Sequence, residues 1–147
     1  MKDEKDVDVV VIEDSPDDSE ITEFALLQTS DKVRMKHFRD GIDALNFIFA
    51  KNSYAGQRVH AEIKFVILDI GLPTLDGLEV LRQLRAERIT NKLPVIILSA
   101  TKDPEVLEVA YHLGANSYVI KPTGFDGYVK KIGSLANYWY SVNQNVQ

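Results

Sequence analysis

Hydrophobic residues in this chain fall into short solid runs separated by longer stretches in which they recur every three or four positions. Val7 to Ile12 is rich in β-branched residues and bounded by charge, Phe65 to Leu68 is wholly apolar, and Leu93 to Leu98 is nearly so. Runs of four to six such residues suit strands buried on both faces. Val33 to Phe38 and Ser117 to Ile120 complete a predicted set of five strands.

Between the strands lie helix-start signals. Ser15-Pro16-Asp17-Asp18 supplies a hydroxyl cap, a proline at the first helical position and acids at the positive helix end. On that reading Asp17 and Asp18 are helix-start charges. Asp40 caps a second helix with Ile42, Leu45 and Phe49 on one face, and residues 51–63 form a polar connection. Asp76 caps a third helix to about Glu87, and Asp103-Pro104 opens a fourth whose core stripe is Val106, Val109, Ala110 and Leu113. A fifth runs from about Phe125 to Tyr140, with Ile132, Leu135, Ala136 and Trp139 at helical spacing. Five strands alternating with five helices predict an α/β domain with a doubly wound five-stranded parallel sheet, covered on both faces. The expected core spans about residues 7–140 of a single domain, 1–147, without an output domain, and fraying is expected at 1–6 and 142–147.

Composition narrows the class. The chain has 147 residues, 45% hydrophobic and 27% charged, as in ordinary globular domains. No apolar run reaches the roughly 20 residues that span a bilayer, and the charged N-terminus lacks a signal-peptide core. With no cysteine, disulfides and thiolate metal sites are excluded, and a cytoplasmic location is expected. A net charge of −5 argues against a nucleic-acid partner, and nothing points to a membrane.

In a parallel sheet the ligand site lies at the carboxyl ends of the strands. There the first strand presents Glu13 and Asp14, the third Asp69, the fourth Ser99 and the fifth Lys121. Any one of these alone would be a strand-end acid, a loop serine or a surface lysine. Together, three carboxylates on one edge call for a cation, and an all-oxygen set favours Mg²⁺ when the substrate bears phosphate. A carboxylate can attack phosphorus to give an acyl phosphate. The metal, Lys121 and the Ser99 hydroxyl would then cover the equatorial oxygens. His37, His60 and His112 share no ligand spacing and read as structural or surface residues.

Glu13-Asp14, Asp69 followed by Leu72-Pro73 and Gly77, Ser99-Ala100 and Lys121-Pro122 resemble the receiver-domain pattern of two-component response regulators, over about residues 7–140. That resemblance implies the flavodoxin-like (βα)5 receiver fold and a phosphoprotein that takes its phosphoryl group from a sensor histidine kinase. It makes Asp69 the phosphoacceptor, with Lys121 and Ser99 assisting, and the metal ligands Glu13, Asp14, Asp69 and the Gly71 carbonyl. It makes Tyr118 the switch aromatic that follows Ser99, and the Lys121–Pro122 bond one that is usually cis in the family. The same resemblance implies a domain that promotes its own phosphorylation and dephosphorylation without being an enzyme. Glu13-Asp14-Ser15-Pro16 and the Trp139-bearing last helix are similar to the small regulators paired with bacterial phytochromes. A downstream protein target is implied, and a face of the fourth helix, fifth strand and fifth helix suits two-fold self-association or docking, through Leu107, Tyr111, Tyr118 and Tyr138. Two other classes share the architecture. A carboxylate-nucleophile phosphatase would carry an acid where Gly71 stands, and a flavodoxin-like cofactor binder would not place Glu13, Asp14, Asp17 and Asp18 beside a phosphate.

Overall fold

The structure is a computed structural model that describes residues 6–56 and 62–146. Strands β1 (Val9–Ile12), β2 (Met35–Phe38), β3 (Phe65–Leu68), β4 (Val95–Ser99) and β5 (Ser117–Ile120) form one sheet in the order β2-β1-β3-β4-β5. All four pairings are parallel. The helices are α1 (Pro16–Thr29), α2 (Gly41–Ile48), α3 (Gly77–Ala86), α4 (Pro104–His112) and α5 (Phe125–Ala136). This is the predicted doubly wound sheet, with its crossovers on both faces. No helix among the described residues is long and apolar enough to cross a membrane.

Alternation along each strand sorts the core into two layers. Val10, Ile12, Val66, Leu68, Val95 and Ile97 face one side, where α2 and α3 pack. Val9, Val11, Phe65, Ile67, Ile96 and Leu98 face the other, beneath α1 and α5. The central strands are therefore buried twice over, which is why they read as solid apolar runs rather than alternating ones.

The predicted caps form. Ser15 Oγ accepts from the Asp18 N–H, Asp40 from Asp43, Asp76 from Leu78 and Asp103 from Glu105. Two helix faces differ from expectation. In α2 the buried residues are Gly41, Ala44, Leu45, Phe47 and Ile48, while Ile42 is 45% exposed. A Cβ on Gly41 would lie 2.5 Å from Val80, so α2 meets α3 through its glycine face and turns Ile42 outward. In α4 only Ala110 is fully buried, and Val109 is exposed. That helix lies over the edge strand β5, itself only half-buried, so little apolar surface is available to cover a full stripe.

The C-terminal region also differs. α5 gives way at Asn137 to a π-helical turn to Val142, and the chain beyond folds back. Asn145 Nδ2 donates to the Lys64 carbonyl at 2.8 Å, and the Lys64 ammonium sits 4.1 Å from the centre of the Tyr140 ring. Residues 143–145 are thus tied to the start of β3 rather than frayed. The polar connection after α2 contains a 3₁₀ turn at Asn52–Tyr54, while His60 lies outside the described residues.

Arg85, on α3, joins two loops, α3–β4 and α4–β5. Its guanidinium donates to the carbonyls of Thr90, Leu93 and Gly114 and to Asn116 Oδ1, at 2.8–3.2 Å. Replacing it with Met keeps the apolar stem but removes all four bonds; Asn116 Oδ1 keeps the Val95 N–H and the Thr90 carbonyl keeps the Leu93 N–H, while the Leu93 and Gly114 carbonyls lose their side-chain donor. At about 1 kcal/mol for each lost bond that water does not replace, Arg85→Met is expected to destabilise the fold by about 2 kcal/mol. A urea midpoint unchanged from the parent protein would contradict this.

Candidate functional site

The carboxyl edge of the sheet brings four loops to one place. Three backbone bonds carry the ladder past the last strand residues and hold the exits level. The Glu13 N–H donates to Phe38 O, the Asp69 N–H to Ile12 O and the Lys121 N–H to Ser99 O, at 2.8–2.9 Å. His37 Nε2 donates to the Glu13 carbonyl at 2.7 Å, since a carbonyl can only accept, and so steadies the β1 exit. His37 is structural, as expected.

Lys121 lies at the centre. Its Nζ is 2.5 Å from Glu13 Oε1, 2.9 Å from Asp18 Oδ2 and 2.9 Å from Asp69 Oδ2. An ammonium has three donors, and here each has a carboxylate. The Glu13, Lys121 and Asp69 side chains are all 14% exposed or less. Burial alone would lower the Lys121 pKa, but the three carboxylates outweigh it and raise the value well above that of a free lysine. Glu13 moves the other way for an acid, pushed up to about 7 by burial first and then by sharing space with Asp69, with Lys121 partly offsetting both. The cluster holds more negative charge than one ammonium neutralises.

Asp18 is the residue that sequence reading missed. Beside Asp17, it reads as a helix-start charge. Asp17 does stay at the surface, but Asp18 reaches Lys121. Asp18 is the third residue of α1, a position whose acid ordinarily turns back to the cap N–H. Here the Ser15 N–H is taken by Glu13 Oε2 at 3.2 Å, which leaves the Asp18 carboxylate for the lysine.

The remaining predicted residues surround this core. Asp14 is exposed and makes no side-chain hydrogen bond or ion pair among the described residues. The Gly71 N–H donates to Asp69 Oδ1 at 3.3 Å, so both Asp69 oxygens are held. Ser99 is buried, and its Oγ accepts from the Thr101 N–H. The half-buried Tyr118 donates its hydroxyl to the Thr101 carbonyl at 3.0 Å, so Ser99 and Tyr118 meet through one loop residue. Burial is the main reason its phenol pKa is raised.

One expectation is corrected. The Lys121–Pro122 peptide is trans, as are all the described bonds. The two isomers of an X–Pro bond differ by only about 0.5–1 kcal/mol, so local context easily selects either. Among the described residues no three His, Cys, Asp or Glu side chains are arranged to hold a metal. The Lys121 ammonium lies between Glu13 and Asp69, 2.5 and 2.9 Å from their oxygens. The donor chemistry nonetheless fits a hard divalent ion, being all oxygen, over-negative and flanked by the unpaired Asp14.

Gly77 fixes the loop after β3. A Cβ there would fall 2.1 Å from the Asp69 carbonyl oxygen and 2.7 Å from Ile70 Cα, both backbone atoms that cannot step aside. Gly77→Ala is expected to cost about 3 kcal/mol and to displace Asp69. Thermal unfolding at the parent temperature would show that the loop accommodates the methyl group.

Comparison with known proteins defines the class. The family model for the response regulator receiver domain matches residues 9–133, and the chain belongs to that family. Among its relatives is response regulator Rcp1 of Synechocystis, 25% identical over 131 residues, which covers 89% of this chain and 87% of that protein. The crystal structure of the response regulator RPA3017 in red light signalling of R. palustris superposes with a TM-score of 0.84 at 30% identity, over 96% of this chain and 99% of that one. The phosphorylated cyanobacterial phytochrome response regulator RcpA shares the fold, with a TM-score of 0.89 at 22% identity over 96% and 99% of the two chains. The chain is a receiver domain homologous to phytochrome response regulators.

Proposed function

We propose that Asp69 accepts a phosphoryl group from the phosphohistidine of a sensor kinase. One observation carries this: a carboxylate at the sheet's carboxyl edge lies 2.9 Å from a half-buried ammonium that can follow it onto the product. An Asp69 oxygen attacks phosphorus, the N–P bond breaks, and its electron pair returns to the donor imidazole. Lys121 then neutralises a phosphoryl oxygen, and the Ser99 hydroxyl, with rotation at its χ1, donates to another. A divalent ion such as Mg²⁺, held by Glu13, Asp14, Asp69 and the Gly71 carbonyl, would supply neutralisation of the remaining charge. The kinship with Rcp1 and the likeness to RPA3017 favour a phytochrome-type kinase as the donor. Incubating the protein with labelled phosphorylated kinase tests the reading. Label should move to the receiver, and retention on the kinase would refute it.

The signal leaves through α4, β5 and α5. Ser99 drawn toward the phosphoryl group frees the Thr101 loop, and with it the Tyr118 hydroxyl. Tyr111 and Tyr138 are the exposed members of the predicted face, at 50% and 47%, while Leu107 is half-buried. Tyr111 has a second task, since its hydroxyl accepts from the Tyr118 N–H at 3.0 Å and so covers a free donor of the edge strand. Phosphorylation that moves Tyr118 therefore disturbs Tyr111, and this face is where two copies or a target would dock. Tyr111→Glu is expected to abolish phosphorylation-dependent self-association, read by sedimentation with a beryllium-fluoride mimic. An unchanged sedimentation coefficient would contradict it.

A further inference from the structure

We infer that Asp18 is a positioning residue, a second seat that keeps the Lys121 ammonium in the site while Glu13 and Asp69 turn to a divalent cation. The inference rests on the reading of Asp69 and its metal given above. Its starting point is the count of partners. Lys121 Nζ has three carboxylates, and two of them, Glu13 and Asp69, belong to the set that would ligate the ion. A cation taken up by those two would compete for two of the ammonium's three bonds, because the other oxygen of each carboxylate already accepts from a backbone N–H, Ser15 for Glu13 and Gly71 for Asp69. A buried ammonium left without a carboxylate is costly, so lysine and metal would compete for the same oxygens. Asp18 resolves the competition.

It can do so because nothing else claims it. Its Oδ2 accepts from Lys121 at 2.9 Å, and no other side chain donates to its carboxylate among the described residues. Its backbone is fixed by the Ser15 cap and by the Thr22 hydroxyl, which donates to the Asp18 carbonyl at 2.9 Å. Its side chain is 29% exposed, against 5% for Glu13 and 14% for Asp69, so it can hold the lysine with partial help from water. A carboxylate on the first turn of α1 thus holds the ammonium without joining the ion.

The consequence is a coupling between Asp18 and metal affinity that runs through Lys121. Manganese binding followed by the electron spin resonance of free Mn²⁺ measures it without any turnover. Asp18→Asn is expected to weaken Mn²⁺ binding by about tenfold, the size of one charge-assisted contact, because the freed lysine now contests Glu13 and Asp69. Lys121→Met is expected to tighten binding. In the Lys121→Met background Asp18→Asn should change affinity by less than about twofold, within the spread of uncoupled sites. Asp18→Glu, which keeps the carboxylate, should bind nearly as the parent does. Circular dichroism on each variant separates these effects from misfolding. Equal losses from Asp18→Asn in both backgrounds would show a ligand or a bulk charge and overturn the inference alone. Absence of Mn²⁺ binding by the parent protein would overturn the metal reading and this inference with it.

Discussion

Asp69→Asn is expected to lower phosphoryl uptake from a phosphohistidine donor by at least about 10³-fold while leaving the fold in place. The amide has nearly the carboxylate's shape, so Gly71 can still donate to its oxygen and Lys121 keeps Glu13 and Asp18. What it loses is nucleophilicity. The substitution also relieves the crowding that raises the Glu13 pKa, so Glu13 should titrate lower in the variant. Stability is therefore expected within about 1–2 kcal/mol of the parent, the scale of one charge-assisted hydrogen bond. Label uptake at the parent rate, with the protein folded, would remove Asp69 from the account.

Stripping divalent ions with EDTA is expected to slow uptake by at least about 10²-fold, a typical cost for losing one oxyanion stabiliser. The geometry gives the reason. Glu13, Asp18 and Asp69 crowd about a single ammonium, so the site stays over-negative, and an incoming phosphoryl group carries more negative charge. Lys121 alone cannot cover three carboxylates and the phosphoryl oxygens together. Restoring Mg²⁺ should restore the rate, whereas K⁺ at equal ionic strength should not. Uptake that is indifferent to EDTA would show that the carboxylates serve only to seat the lysine.

How far the sequence carried these conclusions depends on what each signal measures. Val9–Ile12, Phe65–Leu68 and Val95–Ser99 were legible as strands because burial on both faces leaves almost no polar residue in them. Ser15, Asp40, Asp76 and Asp103 were legible as caps because the orphan N–H groups of a first turn select few side chains. Glu13, Asp69, Ser99 and Lys121 could be gathered from sequence since strand exits in a parallel sheet share an edge. Asp18 was not gathered, because one acid in a helix's first turn looks the same whether it faces water or a lysine 103 residues away. Ile42 and Val109 were misplaced because helical periodicity gives the spacing of a face but not its rotation against a neighbour. That rotation came from Gly41 and from the thin edge at β5. The fold-back of residues 143–145 onto Lys64 had no periodic signal, resting on asparagine side-chain bonds.

The central claim is that the phosphoryl group is carried on Asp69 and nowhere else. Borohydride reduction of the phosphorylated protein, followed by peptide mass spectrometry, tests it directly, because an aspartyl phosphate is converted to homoserine where it stood. The account predicts homoserine at position 69 and intact aspartate at 14 and 18. Homoserine at either of those positions, or phosphate on a histidine with Asp69 unmodified, would contradict it.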